Sequence, residues 1–217
     1  MLRLYQLVSP ALPVGAYNFS QGLEYAVHAG WVNDEPGTLH WIGGVARHSI
    51  AMLDVPLLIR MHHAWCDDDV VKVKRWNAEL MASRESEELR AEERHLGRSL
   101  AKVLFALDIE GAEPFIKHNT SYACMFALAT SRWDIKPHEA ATAFIWAWCE
   151  NQVLAALKLL PVGQTAGQRI LNELLRDIPG MVDHAMNIAE EDIGAAAPRF
   201  SMASAWHETQ YSRLFRS

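Results

Sequence analysis

Apolar positions along this chain recur at three- and four-residue spacings and almost never alternate. Such spacing puts one stripe on a helix, whereas a half-buried strand alternates. A first helix is expected over 20–29, stopped by Gly30, and a second over 36–52 with Leu39, Ile42, Val45, Ala46 and Ile50 on one face. The pair Gly43-Gly44 inside the second lowers helix stability by about 1 kcal/mol per glycine relative to Ala. That points to close approach of another helix, within the domain or across a dimer. Asp54 is expected to cap a third helix, with Pro56 in its first turn and Leu57, Leu58, Met61 and Trp65 buried. The acidic run Asp67-Asp68-Asp69 suits the N-terminus of a fourth, striped by Val73, Trp76, Leu80 and Met81.

Residues 85–98 are densely charged, with Glu87 and Arg90 one turn apart, and carry a narrow seam of Leu89, Leu96, Leu100, Val103 and Leu107. This reads as a solvated helix with one buried edge. After a turn at Glu113-Pro114, residues 121–129 form a small-residue apolar helix. The longest helix is expected over 137–160, about 35 Å at a rise of about 1.5 Å per residue. It is apolar nearly all round, which makes it the expected central core helix. Pro161 and Gly163 end it. Thr165 with Gln168 then reads as a capping box for a helix through Leu171, Leu174 and Leu175. Pro179-Gly180 is expected to break that helix before one more over 181–192. The pattern is all-α: a single-domain helical bundle over 1–198, with a partner-docking C-terminal tail over 199–217 set off by linker-like 194–198.

Residues 9–24 stand apart. The run Ser9-Pro10-Ala11-Leu12-Pro13-Val14-Gly15-Ala16-Tyr17-Asn18-Phe19-Ser20-Gln21-Gly22-Leu23-Glu24 has no charge before Glu24. Its prolines stiffen it and Gly15 permits a turn. An apolar loop must be covered, by its own domain or by a partner, and both readings stay open.

Composition changes the picture mainly by exclusion. The 217 residues are 50% hydrophobic and 21% charged, with a net charge of −6. That balance lacks the basic face that nucleic acid or an anionic membrane requires. The most apolar stretch, 141–160, contains Glu150, Asn151, Gln152 and Lys158, so it reads as a core helix rather than a membrane span. Three scattered cysteines, with no Cys-x-x-Cys, indicate neither a structural zinc nor a redox pair, and suit a reducing cytoplasm.

No phosphate-binding loop, Gly-x-Ser-x-Gly elbow or His-Glu-x-x-His occurs. The ten histidines lack ligand spacing: His62 and His63 are adjacent and diverge on a helix, and His40 and His48 are too far apart. Lys158 sits deep in an apolar helix one turn before its end. It reads either as a lysine snorkelling outward or as a polar group held in a channel or partner surface together with Gln164. The tail residues Phe200, Met202, Trp206, Tyr211, Leu214 and Phe215, with Arg213 and Arg216, have the composition of an interface anchor.

Three runs together carry a resemblance. They are Leu12-Pro13-Val14-Gly15 with Ser20-Gln21-Gly22-Leu23-Glu24, the run from Ala156 through Lys158 to Gln164, and the run from His207 to Arg216. The chain resembles the UreF family of urease accessory proteins over its whole length, although residues 60–118 carry no recognisable motif. The resemblance implies a cytoplasmic, all-helical, dimeric protein that is not an enzyme. It implies binding to UreD (also called UreH), recruitment of the GTP-bound GTPase UreG, and docking on apo-urease, with no nucleic-acid or membrane partner. It implies no tightly bound cofactor, nickel being handled in transit through a channel. Lys158 is carried over as a residue near the GTPase-facing surface or channel, and the tail from His207 to Arg216 as the segment that UreD orders. The partner-binding positions expected are Pro13, Gly15, Tyr17, Ser20, Gln21, Glu24, Lys158, Gln164, His207, Glu208, Gln210, Tyr211, Arg213, Leu214 and Arg216. Two other readings remain: a helical enzyme using Glu24, Tyr17 or His28 as acid–base groups, and a nickel-storage protein.

Overall fold

The computed structural model describes residues 1–194 and 197–217. Helix follows helix: α1 (Leu2–Leu7), α2 (Leu23–His28), α3 (Glu35–Val45), α4 (Val55–Cys66), α5 (Val70–Ala82), α6 (Glu87–Ala106), α7 (Tyr122–Arg132), α8 (Pro137–Leu159), α9 (Gln164–Met186) and α10 (Pro198–His207), with no strand among the described residues.

Helix α7 is the most enclosed element, buried continuously from Ala123 to Ser131. Its small side chains let α4 pack closely, and the Trp65 indole on α4 donates to the Cys124 carbonyl at 3.2 Å. Ser121 caps α7 by accepting from the Cys124 N–H at 3.1 Å. Buried Thr130 and Ser131 satisfy their hydroxyls on carbonyls of the preceding turn. The long helix α8 lies beside this pair and pairs along its length with α9. The core is therefore shared by α4, α7 and α8.

Several boundaries differ from expectation for physical reasons. Asp54 is not a cap. Helices α3 and α4 are joined through a π-helical segment, Ala46–Asp54, into one 32-residue helix, Glu35–Cys66. That helix is long and apolar enough to cross a membrane, but 78% of its apolar window is buried inside the protein, so it serves as a core helix. Pro179 does not break α9, which runs on to Met186. The proline is exposed, so the carbonyl that loses its partner lies on the wet side of the helix. Gly163 takes the N-cap position of α9 with no side-chain bond, in place of a Thr165 box. Gly43 meets Leu174 of α9 at ordinary contact distance, 3.6 Å from an added Cβ, while Gly44 faces open space. Helix α6 is wet on one side only in part, because Glu92 and Glu93 are buried. It also rests on backbone: a Cβ on Gly97 would fall 2.0 Å from the Thr120 carbonyl oxygen. Of the linker-like stretch, Gly194 donates to the Met52 carbonyl at 3.1 Å, and 195–196 lie outside the described residues.

Candidate functional site: an opening loop clasped by the tail

The opening loop is folded onto the domain by its apolar residues. Val14 and Phe19 are buried, and Phe19 meets the His95 ring at 5.7 Å. Gly15, at φ +82, starts a short 3-10 turn (Ala16–Asn18), and the Asn18 amide donates to the Gly15 carbonyl at 3.1 Å. The turn leaves Pro13 and Tyr17 exposed. Gln21 and Gly22 both adopt left-handed backbone, φ 51 and +77. A Cβ on Gly22 would also lie 2.9 Å from the Ser204 N–H nitrogen, so only glycine lets α10 sit this close to α2.

Helix α10 packs on α2 and α6 with Phe200, Ala203, Ser204 and His207 buried. The remaining tail returns across the loop. The Glu24 carboxylate accepts from the Leu214 and Phe215 N–H groups at 2.7 and 2.8 Å, and from His207 Nε2 at 3.2 Å. His207 Nδ1 lies 2.6 Å from Glu88, which also accepts from Arg213 at 2.6 Å. Glu208 accepts from the Glu87 and Glu88 N–H groups at 2.7 and 3.3 Å, filling the anion-favouring N-terminus of α6. Arg216 N–H donates to the Asn18 carbonyl at 2.9 Å. The Ser217 carbonyl accepts from Ser20, from the N–H at 2.8 Å and the hydroxyl at 2.6 Å. Phe215 fills an apolar cluster with Leu23, Ala26, Ala155, Ala156 and Leu160.

Beneath the clasp lie acidic groups that the charge pattern of α6 concealed. Glu92 accepts from the Gln21 amide and the Ser217 hydroxyl, both at 2.8 Å, and Trp148 donates to the Gln21 carbonyl oxygen at 2.7 Å. Burial pushes the Glu92 carboxyl up to about 7, against the pull of those two donors. Arg84, buried, is held between Asp54 and Glu93. Burial opposes the charge on Arg84, yet the two carboxylates hold its proton more firmly than usual. Burial likewise lifts Asp54 above the ordinary carboxylate range despite Arg84. A cavity of about 110 Å³ lies between these groups, the apolar underside of the loop at Leu12 and Val14, and Phe144 and Trp148 of α8.

The predicted residues thus divide. Buried Ser20, Glu24 and His207 form the frame with half-buried Gln21, and Glu208, on the rim, extends it onto α6. Tyr17, Tyr211, Arg213, Leu214 and Arg216 are exposed around it, Leu214 at 65%. Of the two readings of Lys158, the structure has the outward one. The last turn of α8 reaches the surface, and the ammonium stays in water 5.4 Å from the Phe215 ring and 5.8 Å from the Tyr17 ring. Gln164 opens α9 and is exposed. Gln210 donates to the Ser212 carbonyl at 2.9 Å, and its own carbonyl oxygen is buried without a partner.

Residues 199–217 therefore dock on their own domain in the isolated chain, an arrangement that their interface-like composition did not predict. Glu88, Glu92, Glu93 and Arg84 were missed at the sequence level. A signal existed: Glu92 and Glu93 follow Leu89 by three and four positions, and so share its buried face. The Glu24–His207 pair is the geometry that an acid–base enzyme would need. Both Glu24 oxygens, however, are spent on tail N–H groups and His207, and the cavity is lined by other residues. His28 is exposed and stands outside it, and Tyr17, exposed at its rim, is bonded to neither Glu24 nor His207. Among the described residues, no group of three or more His, Cys, Asp or Glu is placed to hold a metal ion.

A family model described as UreF matches residues 32–175. A urease accessory protein UreF from Alkalilimnicola ehrlichii is 47% identical over 216 residues, covering 99% of this chain and 95% of the relative. Proteins of the same name from Hahella chejuensis and Teredinibacter turnerae are 46% and 45% identical, each covering 100% of this chain and 98% of the relative. The chain belongs to the UreF family of urease accessory proteins, a family of maturation factors rather than enzymes.

Proposed function

We propose that this chain acts in urease maturation as a scaffold that binds a UreD (UreH) partner and regulates the GTP-bound GTPase UreG while nickel is delivered to apo-urease. The relatives are named for the urease accessory role. The observation that carries the finer reading is the composite face made by loop and tail. Tyr17, Lys158, Tyr211, Arg213, Leu214 and Arg216 are all exposed there, on a frame of buried hydrogen bonds. An apolar patch bearing cations, on a protein of net charge −6, suits a partner surface of apolar and acidic residues. In this reading nickel passes in transit without a tightly held cofactor, the chain works in the cytoplasm, and it works as a homodimer. Gly44, open on the face of α3, is the candidate contact between copies. The test is capture of UreD- and UreG-type proteins by the whole chain and by a Leu214→Asp variant, with folding checked by thermal melting. The reading predicts capture by the natural chain and loss of UreD-type capture by a variant that melts normally. Equal capture by both contradicts the assignment of this face.

A further inference from the structure

We infer that Glu92 is a proton-operated latch between the opening loop and the carboxyl tail: with its proton it seats both segments, and without it the seat loosens. The residue is 3% exposed and has no cation of its own. One oxygen accepts from Gln21 of the loop and the other meets Ser217 of the tail, both neutral groups. No other side chain bridges the two segments through both of its oxygens among the described residues. The one buried cation nearby, Arg84, is already shared by Asp54 and Glu93.

The groups packed around Glu92 decide the sign. Glu93 adjoins it on α6 and disfavours a second negative charge, while Arg84, from the connection before α6, opposes that effect. Asp54 from the π-helical segment, the Tyr122 side chain from α7 and Glu150 from α8 share its cavity with Tyr17 of the loop. Burial raises Tyr122 and Glu150, so both favour their neutral forms. One turn further along α6, His95 is lowered by burial and by Arg216, which disfavours a compensating charge on the ring. A carboxyl in this setting favours its neutral form.

The neutral acid keeps both bonds. Its own O–H donates to the Ser217 hydroxyl, and its carbonyl oxygen still accepts from Gln21. Loss of the proton to solvent leaves a buried anion bonded only by neutral donors. The anion gains hydration when the tail lifts and water enters the cavity. Because the seated carboxyl titrates near 7 and a released one near the ordinary value of 4.5, the clasp is tightest in mild acid. It weakens as pH rises through that interval, and levels off above it. The latch works within this chain alone, with or without the proposed partners.

Hydrogen exchange on the full chain tests it. The readout is protection of the Ser20, Leu214, Phe215 and Arg216 N–H groups, corrected for the intrinsic base-catalysed rate. Opening is expected to rise about tenfold between about pH 6 and pH 9 in the natural chain. Glu92→Gln, a mimic of the neutral acid, is expected to show no such rise. A natural chain with flat opening, or a Gln variant with the same slope, overturns the latch. If Glu92→Gln does not fold, carbon-13 titration of the Glu92 carboxyl in the natural protein decides. A midpoint near 7 is expected, and a midpoint at the ordinary glutamate value overturns the proposal.

Discussion

Glu24 and Leu214 lie 190 positions apart in the chain and are joined by a 2.7 Å hydrogen bond from the Leu214 N–H to the Glu24 carboxylate. With the Phe215 N–H on the other oxygen, a single side chain at the end of the opening apolar run receives the returning tail. Hydrogen bonds to a charged acceptor contribute about 1.5–3 kcal/mol each. Glu24→Gln leaves one oxygen and turns an amide donor toward an N–H. The variant is expected to lose tail protection in hydrogen exchange and about 2 kcal/mol of stability by denaturant unfolding. Unchanged protection at Leu214 and Phe215 would show that Phe215 burial alone holds the tail.

The Arg84 cluster is a structural element with a different signature. Removing the one cation leaves Asp54 and Glu93 facing each other in the interior. Arg84→Met is expected to destabilise by about 3–5 kcal/mol at neutral pH. Part of that loss should return in mild acid, where the orphaned carboxyls take up protons. Urea unfolding at two pH values checks both the size and the sign.

Three glycines make a graded test of helix contacts. Gly97→Ala puts a Cβ 2.0 Å from the Thr120 carbonyl oxygen, against backbone that cannot step aside. Loss of cooperative folding or a steep fall in melting temperature is expected. Gly22→Ala strains a left-handed residue and pushes on α10, so it should free the tail first. Gly44→Ala meets nothing within 4 Å and should stabilise the monomer by about 1 kcal/mol through helix propensity. If α3 forms the contact between copies, the same substitution weakens self-association, which sedimentation at several concentrations measures. A dimer untouched by Gly44→Ala moves the contact elsewhere.

Lys158 is placed to act on the surface rather than in the core. Its side chain lies over two rings in water, where single substitutions change stability by about 0.5 kcal/mol or less. Lys158→Ala should melt like the natural chain and still bind partners more weakly. A large drop in melting temperature with unchanged binding would return it to a structural role.

Most helices were legible because their apolar periodicity is local, and Ser121 and Asp69 announce starts that the structure keeps. What periodicity could not carry was continuity. A π-helical segment absorbed the break expected at Asp54, and the exposed position of Pro179 let α9 continue. The loop and tail were legible as unusual, each apolar where chain ends and loops are usually polar. Their meeting was not, because the joining bonds run between residues about two hundred positions apart, such as Ser20 and Ser217. Lys158 stayed between two readings for the complementary reason: sequence neighbours report the average burial of a helix, not where its last turn emerges.

The central claim is that this chain makes urease maturation productive by presenting a surface rather than by catalysing a reaction. It is tested most directly by activating apo-urease in a defined mixture of nickel, bicarbonate, GTP, UreD- and UreG-type proteins, with and without this chain. The account predicts urease activity that depends on the natural chain and falls sharply with Leu214→Asp. Activation to the same level with the chain left out would contradict it.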